Sequence, residues 1–247
     1  MKNIILLNGP SIENSNPEIN FVSDRIFVIN RKKQIEKKIN HFVDYWCVFS
    51  PSEAIDMVED IYRFLNRPEE NRFITTGWTL YHIREYLEIR PFPNSNRIIL
   101  FDETCAKIHN VTTVKNADGR WNSISVLLYT LAIIDKKIPT FIYGMDGVKD
   151  NDQKEIYYNQ RHLSKERLNG SNIYNDMIFF DNNFWEFMKK QNLHPKIFNM
   201  NTDSFYKSLP FSEKCCEAKY NAPKFFLHNE YSNKELLEKA KNFLLIQ

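Results

Sequence analysis

Glycine is scarce in this chain, six in 247 residues, and no GxGxxG follows the first strand-like run, which argues against a dinucleotide-dependent oxidoreductase. Cysteine is sparse too. Cys47, Cys105 and the neighbours Cys215 and Cys216 form neither a CxxC pair nor a disulfide scaffold, so free thiols in a reducing compartment, without zinc, are the expectation. Neither sign of charge dominates: 33 Lys+Arg against 31 Asp+Glu leave +2, far from the basic excess by which proteins grip nucleic-acid phosphates. No His/Asp/Glu cluster stands at ligand spacing, so no metal and no tightly held cofactor are expected. No apolar run is long enough for a signal peptide or a membrane span, which implies a cytoplasmic protein. Internal repeats and low-complexity tracts are lacking as well.

What is present is core-forming material. At 43% hydrophobic and 14% aromatic residues, the chain can bury one large domain, or a domain with a subdomain. Short β-rich runs at Ile4–Asn8, Arg25–Asn30, Tyr45–Ser50, Arg72–Thr76, Arg97–Phe101, Thr140–Gly144 and Lys196–Met200 read as buried strands. Between them, PSEAIDMVEDIYRFLN reads as one amphipathic helix, with Ser52 suited to capping it. SISVLLYTLAIIDKK reads as a buried helix, and FWEFMKK and Asn233–Ile246 as further helices. Alternating β and α predicts an α/β fold: a Rossmann-like domain over 1–211, its sheet mainly parallel and covered by helices on both faces. The polar, tyrosine-bearing stretch at about 147–180 reads as a lid, and 212–247 as a C-terminal helical extension.

The opening, MKNIILLNGPS, poses the functional question. Its apolar run breaks into Asn8-Gly9-Pro10-Ser11, where a parallel sheet presents ligands if it presents any. A plain tight turn is the other reading, since Asn-Gly is a common turn dipeptide.

Taken in order, the first strand into NGPS, the buried helix into TFIYGMD, the polar insertion, FWEFMKK and IFNMNTDSFYKSLPF resemble the bacterial sialyltransferases that modify lipooligosaccharide. The resemblance runs to about Phe211. It implies one Rossmann-like domain with a lid, and inverting, metal-independent transfer of sialic acid, or a related nonulosonate or Kdo, from a CMP-activated donor to a cell-surface glycan. Asn8, Gly9 and Ser11 match the family's nucleotide loop, although Leu7 stands where the family has glycine. Asn30 matches an asparagine after the second strand, and equally suits a strand-ending turn. Ser52, with Pro51, matches an Asn-Pro-Ser turn whose asparagine is Ser50 here; a helix N-cap is its other reading. Asn122 and Ser123 occupy a helix start suited to a donor carboxylate or phosphate, and Gly144 and Asp146 match a Gly-Ile-Asp strand end whose carboxylate can accept from hydroxyls.

The departures fall on the chemistry. Where the family places a lid histidine this chain has Asn175-Asp176, leaving His162 and Asp176 as alternative bases, each with a surface role as its competitor. Tyr157 and Tyr158 stand in for tyrosines that steady the leaving phosphate, or pack the lid. Arg161, Lys165 and Arg167 suit a diphosphate donor or a solvated face. NGPS also resembles the first loop of flagellin-glycosylation factors and of a pterin pyrophosphokinase-like family, and a non-catalytic nucleotide-binding module is the third reading. Contact of the C-terminal helix with an anionic membrane, with a second copy, or with the protein's own core completes the expectations about partners.

Overall fold

The computed structural model describes residues 1–100, 127, 131, 137–146, 186, 188–190, 192, 196–204, 222–226 and 231–243. In chain order its elements are β1 (Asn3–Leu6), β2 (Arg25–Ile29), α1 (Lys32–Ile39), β3 (Tyr45–Cys47), α2 (Pro51–Asp56) and α3 (Val58–Leu65). Then follow β4 (Arg72–Thr75), α4 (Gly77–His82), α5 (Arg84–Ile89), β5 (Ile98–Leu100), β6 (Thr140–Tyr143), β7 (Ile197–Asn199) and α6 (Asn233–Asn242). The fold is α/β, as its alternating pattern predicts. Two compact units hold these elements, one of Met1–Phe42 with Lys115–Ala222, the other of Val43–Val114 with Pro223–Gln247.

In the first unit the strands lie in the order β2-β1-β6-β7, every pair parallel. Asn3 of β1 registers with Arg25 of β2 and with Thr140 of β6, so β1 is central and the chain leaves it first to one side and later to the other. That reversal is a topological switch point, the place at which open α/β sheets commonly receive ligands. β1, β2 and β6 are buried at every position, as strands covered on both faces must be. Asn3, fully buried, donates from Nδ2 to Thr140 Oγ1 at 3.2 Å. Leu127 and Leu131, from the predicted buried helix, are helical and buried.

In the second unit β3, β4 and β5 pair in parallel. Trp46 is its anchor, edge-on to Phe64 of α3 and Phe73 of β4 at 5.4 and 5.6 Å between centroids. The neighbouring Cys47 is fully buried, and burial pushes its thiol far above the ordinary range, leaving it protonated and inert. Tyr45 Oη donates to the Lys224 carbonyl at 3.0 Å and accepts from the Phe226 amide at 3.1 Å, so β3 binds the late segment. α6 opens with a capping box between Ser232 and Glu235 and buries Leu236 and Ala240 against α4 and α5.

Several expectations shift. The helix read as one over PSEAIDMVEDIYRFLN divides at Met57 (φ −114°, ψ 11°), leaving Ile55 exposed while Val58, Ile61, Phe64 and Leu65 are buried. Ser52 is not the cap: Pro51, whose fixed φ suits the first helical position, starts α2 with Ser50 before it, and Ser52 is an exposed residue of the first turn, 3.0 Å from Ser50 Oγ through its own hydroxyl. α1 escapes the sequence pattern because only Ile35 and the stem of Lys32 are buried on it, too few for a periodic stripe. α4 and α5 are short helices either side of Ile83, signalled only by Thr76, whose Oγ1 accepts from the Thr79 amide. No helix among the described residues is long and apolar enough to cross a membrane.

Candidate functional site

Several sequence-predicted strands end earlier than expected, and Leu7, Asn8, Asn30 and Gly144 fall in loops at the carboxyl edge. Leu7 N–H still donates to the Tyr143 carbonyl at 2.9 Å and Gly9 N–H to the Gly144 carbonyl at 3.1 Å, so the two loops run together past the ends of β1 and β6. Asn8 turns aside, donating from Nδ2 to the Ile29 carbonyl at 2.9 Å, which ties the loop to the end of β2. Asn30 adopts the left-handed conformation there (φ 61°), which asparagine tolerates better than other side chains.

Two glycines are demanded by protein neighbours. A Cβ on Gly9 would lie 2.3 Å from the Gly144 carbonyl oxygen and 2.4 Å from Asp146 Oδ2. Gly9 itself has ordinary extended backbone, φ −68°, so space and not conformation requires it. Gly144 is different: its φ is +73° and a Cβ there would approach the Leu7 carbonyl oxygen to 2.5 Å.

The room at Gly9 is filled by Asp146. One carboxylate oxygen accepts from the Ser11 amide at 2.8 Å, and the other accepts from Asn201 Nδ2. Asn201 is itself fixed: its amide donates to Asn199 Oδ1 at 3.2 Å and its Oδ1 accepts from the Asp203 amide at 3.0 Å. Ser204 Oγ donates to the Met145 carbonyl, and Asn199 Nδ2 reaches the same oxygen at 3.4 Å. The ends of β1, β6 and β7 thereby close into one polar knot. Ser11 Oγ, buried at the atom level, has no hydrogen-bond partner among the described residues. An orphaned buried hydroxyl costs stability unless something supplies its partner.

Of the sequence-predicted residues, Asn8, Gly9, Ser11, Gly144 and Asp146 are brought together in the first unit, with Asn30 at the end of β2. Ser52 belongs to the second unit. His162, Asp176, Tyr157, Tyr158, Asn122, Ser123, Arg161, Lys165, Arg167 and the lid over about 147–180 lie outside the described residues. Sequence reasoning missed Asn199, Asn201 and Ser204, although NMNTDS after the last strand carries the density of short polar side chains that build Asx turns. Among the described residues, no group of three or more His, Cys, Asp or Glu is placed to hold a metal.

No family model and no curated protein matches this chain. Among solved structures, the sialyltransferase CST-II in complex with trisaccharide acceptor and CMP is similar, at a TM-score of 0.50 and 13% identity, over 97% of this chain and 99% of that one. The fold is sialyltransferase-like. A second structure, the sialyltransferase CstII from Campylobacter jejuni with the substrate analogue CMP-3FNeuAc, aligns over 98% of this chain and 99% of that one, at 12% identity and a TM-score of 0.39.

Proposed function

We propose that this chain is a glycosyltransferase that takes a sugar from a CMP-activated donor, sialic acid or a related nonulosonate or Kdo, to a glycan or glycolipid acceptor. One observation carries the reading: at the switch point of a sialyltransferase-like fold, the Asn8–Ser11 loop is held rigid by Asp146 and still offers a buried hydroxyl without a partner among the described residues. A neutral donor/acceptor of that kind suits a ribose or phosphate oxygen.

In this reading the acceptor oxygen attacks the anomeric carbon while the bond from that carbon to the phosphate oxygen breaks, and CMP departs with the bonding pair. His162 or Asp176 takes the acceptor's proton, and Tyr157 and Tyr158 donate hydrogen bonds to the departing phosphate. Asn122 and Ser123 are assigned to the carboxylate or phosphate of the donor, and Asn30 and Ser52 to the nucleotide or sugar. Titration calorimetry with CMP and CTP against UDP, GDP and ATP tests the donor class. Binding confined to cytidine nucleotides is the expected result, and none to the folded protein removes the donor assignment. Transfer is expected to continue in EDTA; activity lost in chelator and restored by magnesium or manganese places the chain in another transferase class.

A second reading keeps the nucleotide and drops the transfer. It is favoured by Asn175-Asp176 standing where the family has its lid histidine. A chain that binds CMP and transfers no sugar to any acceptor belongs to that reading.

A further inference from the structure

We infer that Asp146 and Asn201 form a positioning pair that sets the Ser11 backbone, and that the Asp146 carboxylate serves the loop in place of the ligand. This rests on the reading of Asn8–Ser11 as a nucleotide site. It reassigns the one carboxylate that the sequence pattern offers to sugar hydroxyls, and gives a role to a segment, 199–204, that the pattern leaves unassigned.

The donors decide the matter. Asp146 is met by two N–H groups from opposite sides, the Ser11 amide at 2.8 Å and Asn201 Nδ2, and neither can turn to become an acceptor. A backbone amide only donates. Asn201 is held from flipping because its Oδ1 already accepts from the Asp203 amide at 3.0 Å. The two donors reach different oxygens, Oδ2 and Oδ1, so a side chain with two accepting oxygens satisfies both at once, and a carboxylate is that group. Gly9 shows the same priority, since its missing Cβ makes way for Asp146 Oδ2, 2.4 Å from where that atom would be. The knot has a direction: β7, through Asn199 and Asn201, fixes Asp146, and Asp146 fixes Ser11.

The arrangement permits an exchange test. In Asp146→Asn, one side-chain group becomes a donor and confronts either Ser11 N–H or Asn201 Nδ2. In Asn201→Asp, two carboxylates confront each other. The double variant Asp146→Asn/Asn201→Asp restores every bond with the same net charge. Its amide at position 146 accepts from Ser11 N–H and donates to the carboxylate now at position 201, which still accepts from the Asp203 amide. CMP affinity by calorimetry, the thermal midpoint, and the ¹⁵N–¹H resonance of Ser11 are measured for wild type, both single variants and the double variant.

Each single variant is expected to weaken CMP by about tenfold or more, the scale of a hydrogen bond to a charged group, and to move the Ser11 resonance; the double variant is expected to return all three readouts to near wild type. A double variant that is folded, with native Ser11 resonance, yet binds CMP as weakly as Asp146→Asn overturns the inference, because the carboxylate then acts on the ligand directly. So does an Asp146→Asn single variant with wild-type affinity. If the wild type binds no cytidine nucleotide, the donor reading fails separately, and the pair is judged by whether the exchange restores the midpoint and the Ser11 resonance; failure of that restoration overturns it.

Discussion

Each unit ends its strands in a cluster of small polar side chains, and the two clusters are not alike. In the second unit Thr75 Oγ1 donates to the Val48 carbonyl and Thr79 Oγ1 to the Phe49 carbonyl, both at 2.8 Å, while Thr76 Oγ1 accepts from the Thr79 amide at 3.1 Å. Every one of these hydroxyls bonds to the backbone, and no charge is involved. In the first unit a carboxylate is the hub, Gly9 leaves space for it, and the Ser11 hydroxyl has no hydrogen-bond partner among the described residues. Polar residues at a strand end therefore do not mark a ligand site by themselves. What distinguishes the first cluster from the threonines is its carboxylate hub, together with a hydroxyl, Ser11 Oγ, that has no hydrogen-bond partner among the described residues.

Gly144 carries the largest expected effect. Gly144→Ala meets both a left-handed backbone and the Leu7 carbonyl oxygen at 2.5 Å. A loss of about 3 kcal/mol or more is expected, seen as a midpoint lower by roughly 6 °C or more in thermal unfolding. A variant as stable as wild type means the two loops do not run together as described. Next is Thr79→Val, which leaves the Phe49 carbonyl without this donor; about 1–2 kcal/mol of stability is expected to go with no change in nucleotide affinity, and a change in affinity erases the contrast between clusters.

Ser11→Ala probes the same contrast from the other side. Removing a hydroxyl that bonds to no described protein group is expected to leave the thermal midpoint within about 1–2 °C, or raise it, while CMP affinity falls roughly three- to tenfold. A stability loss as large as that of Thr79→Val makes the first cluster structural like the second. The smallest effect lies outside both, in the α6 capping box. The Ser232 hydroxyl and then its amide hold the Glu235 carboxyl below its usual range, so their contribution is complete above the unfolded carboxyl pKa and is lost as pH falls through the lower folded value. Ser232→Ala is expected to raise the Glu235 pKa toward that of a free side chain, followed by NMR titration; an unmoved value rules out the box.

The strands were legible because each is a short apolar run bounded by turn residues, and burial on both faces leaves no polar alternation to confuse with a helix period. Their ends were not: Asn8, Asn30 and Gly144 read as strand termini, yet the ladder stops before each of them. Among the helices, α6 was legible as an amphipathic run while its Ser232–Glu235 capping box came with the structure, and α4 and α5 are too short to show a period. In the site, Asn8-Gly9-Pro10-Ser11 and Gly144-Met145-Asp146 were each visible as strand-end turns, while Asn201 was not, because nothing local distinguishes it from Asn199 or Thr202.

Residue order alone settled local matters: which runs are buried strands, and that the fold alternates β with α. Register, partnership and purpose came with the packing of distant segments. Parallel pairing of β1 with β6 joins Ser11 to Asp146 across 135 residues, and pairing of β6 with β7 joins Asp146 to Asn201 across another 55. Hydrogen bonds act over about 3 Å and depend on both partners, so no periodicity or spacing along the chain can say which carboxylate is already taken and which hydroxyl is still open.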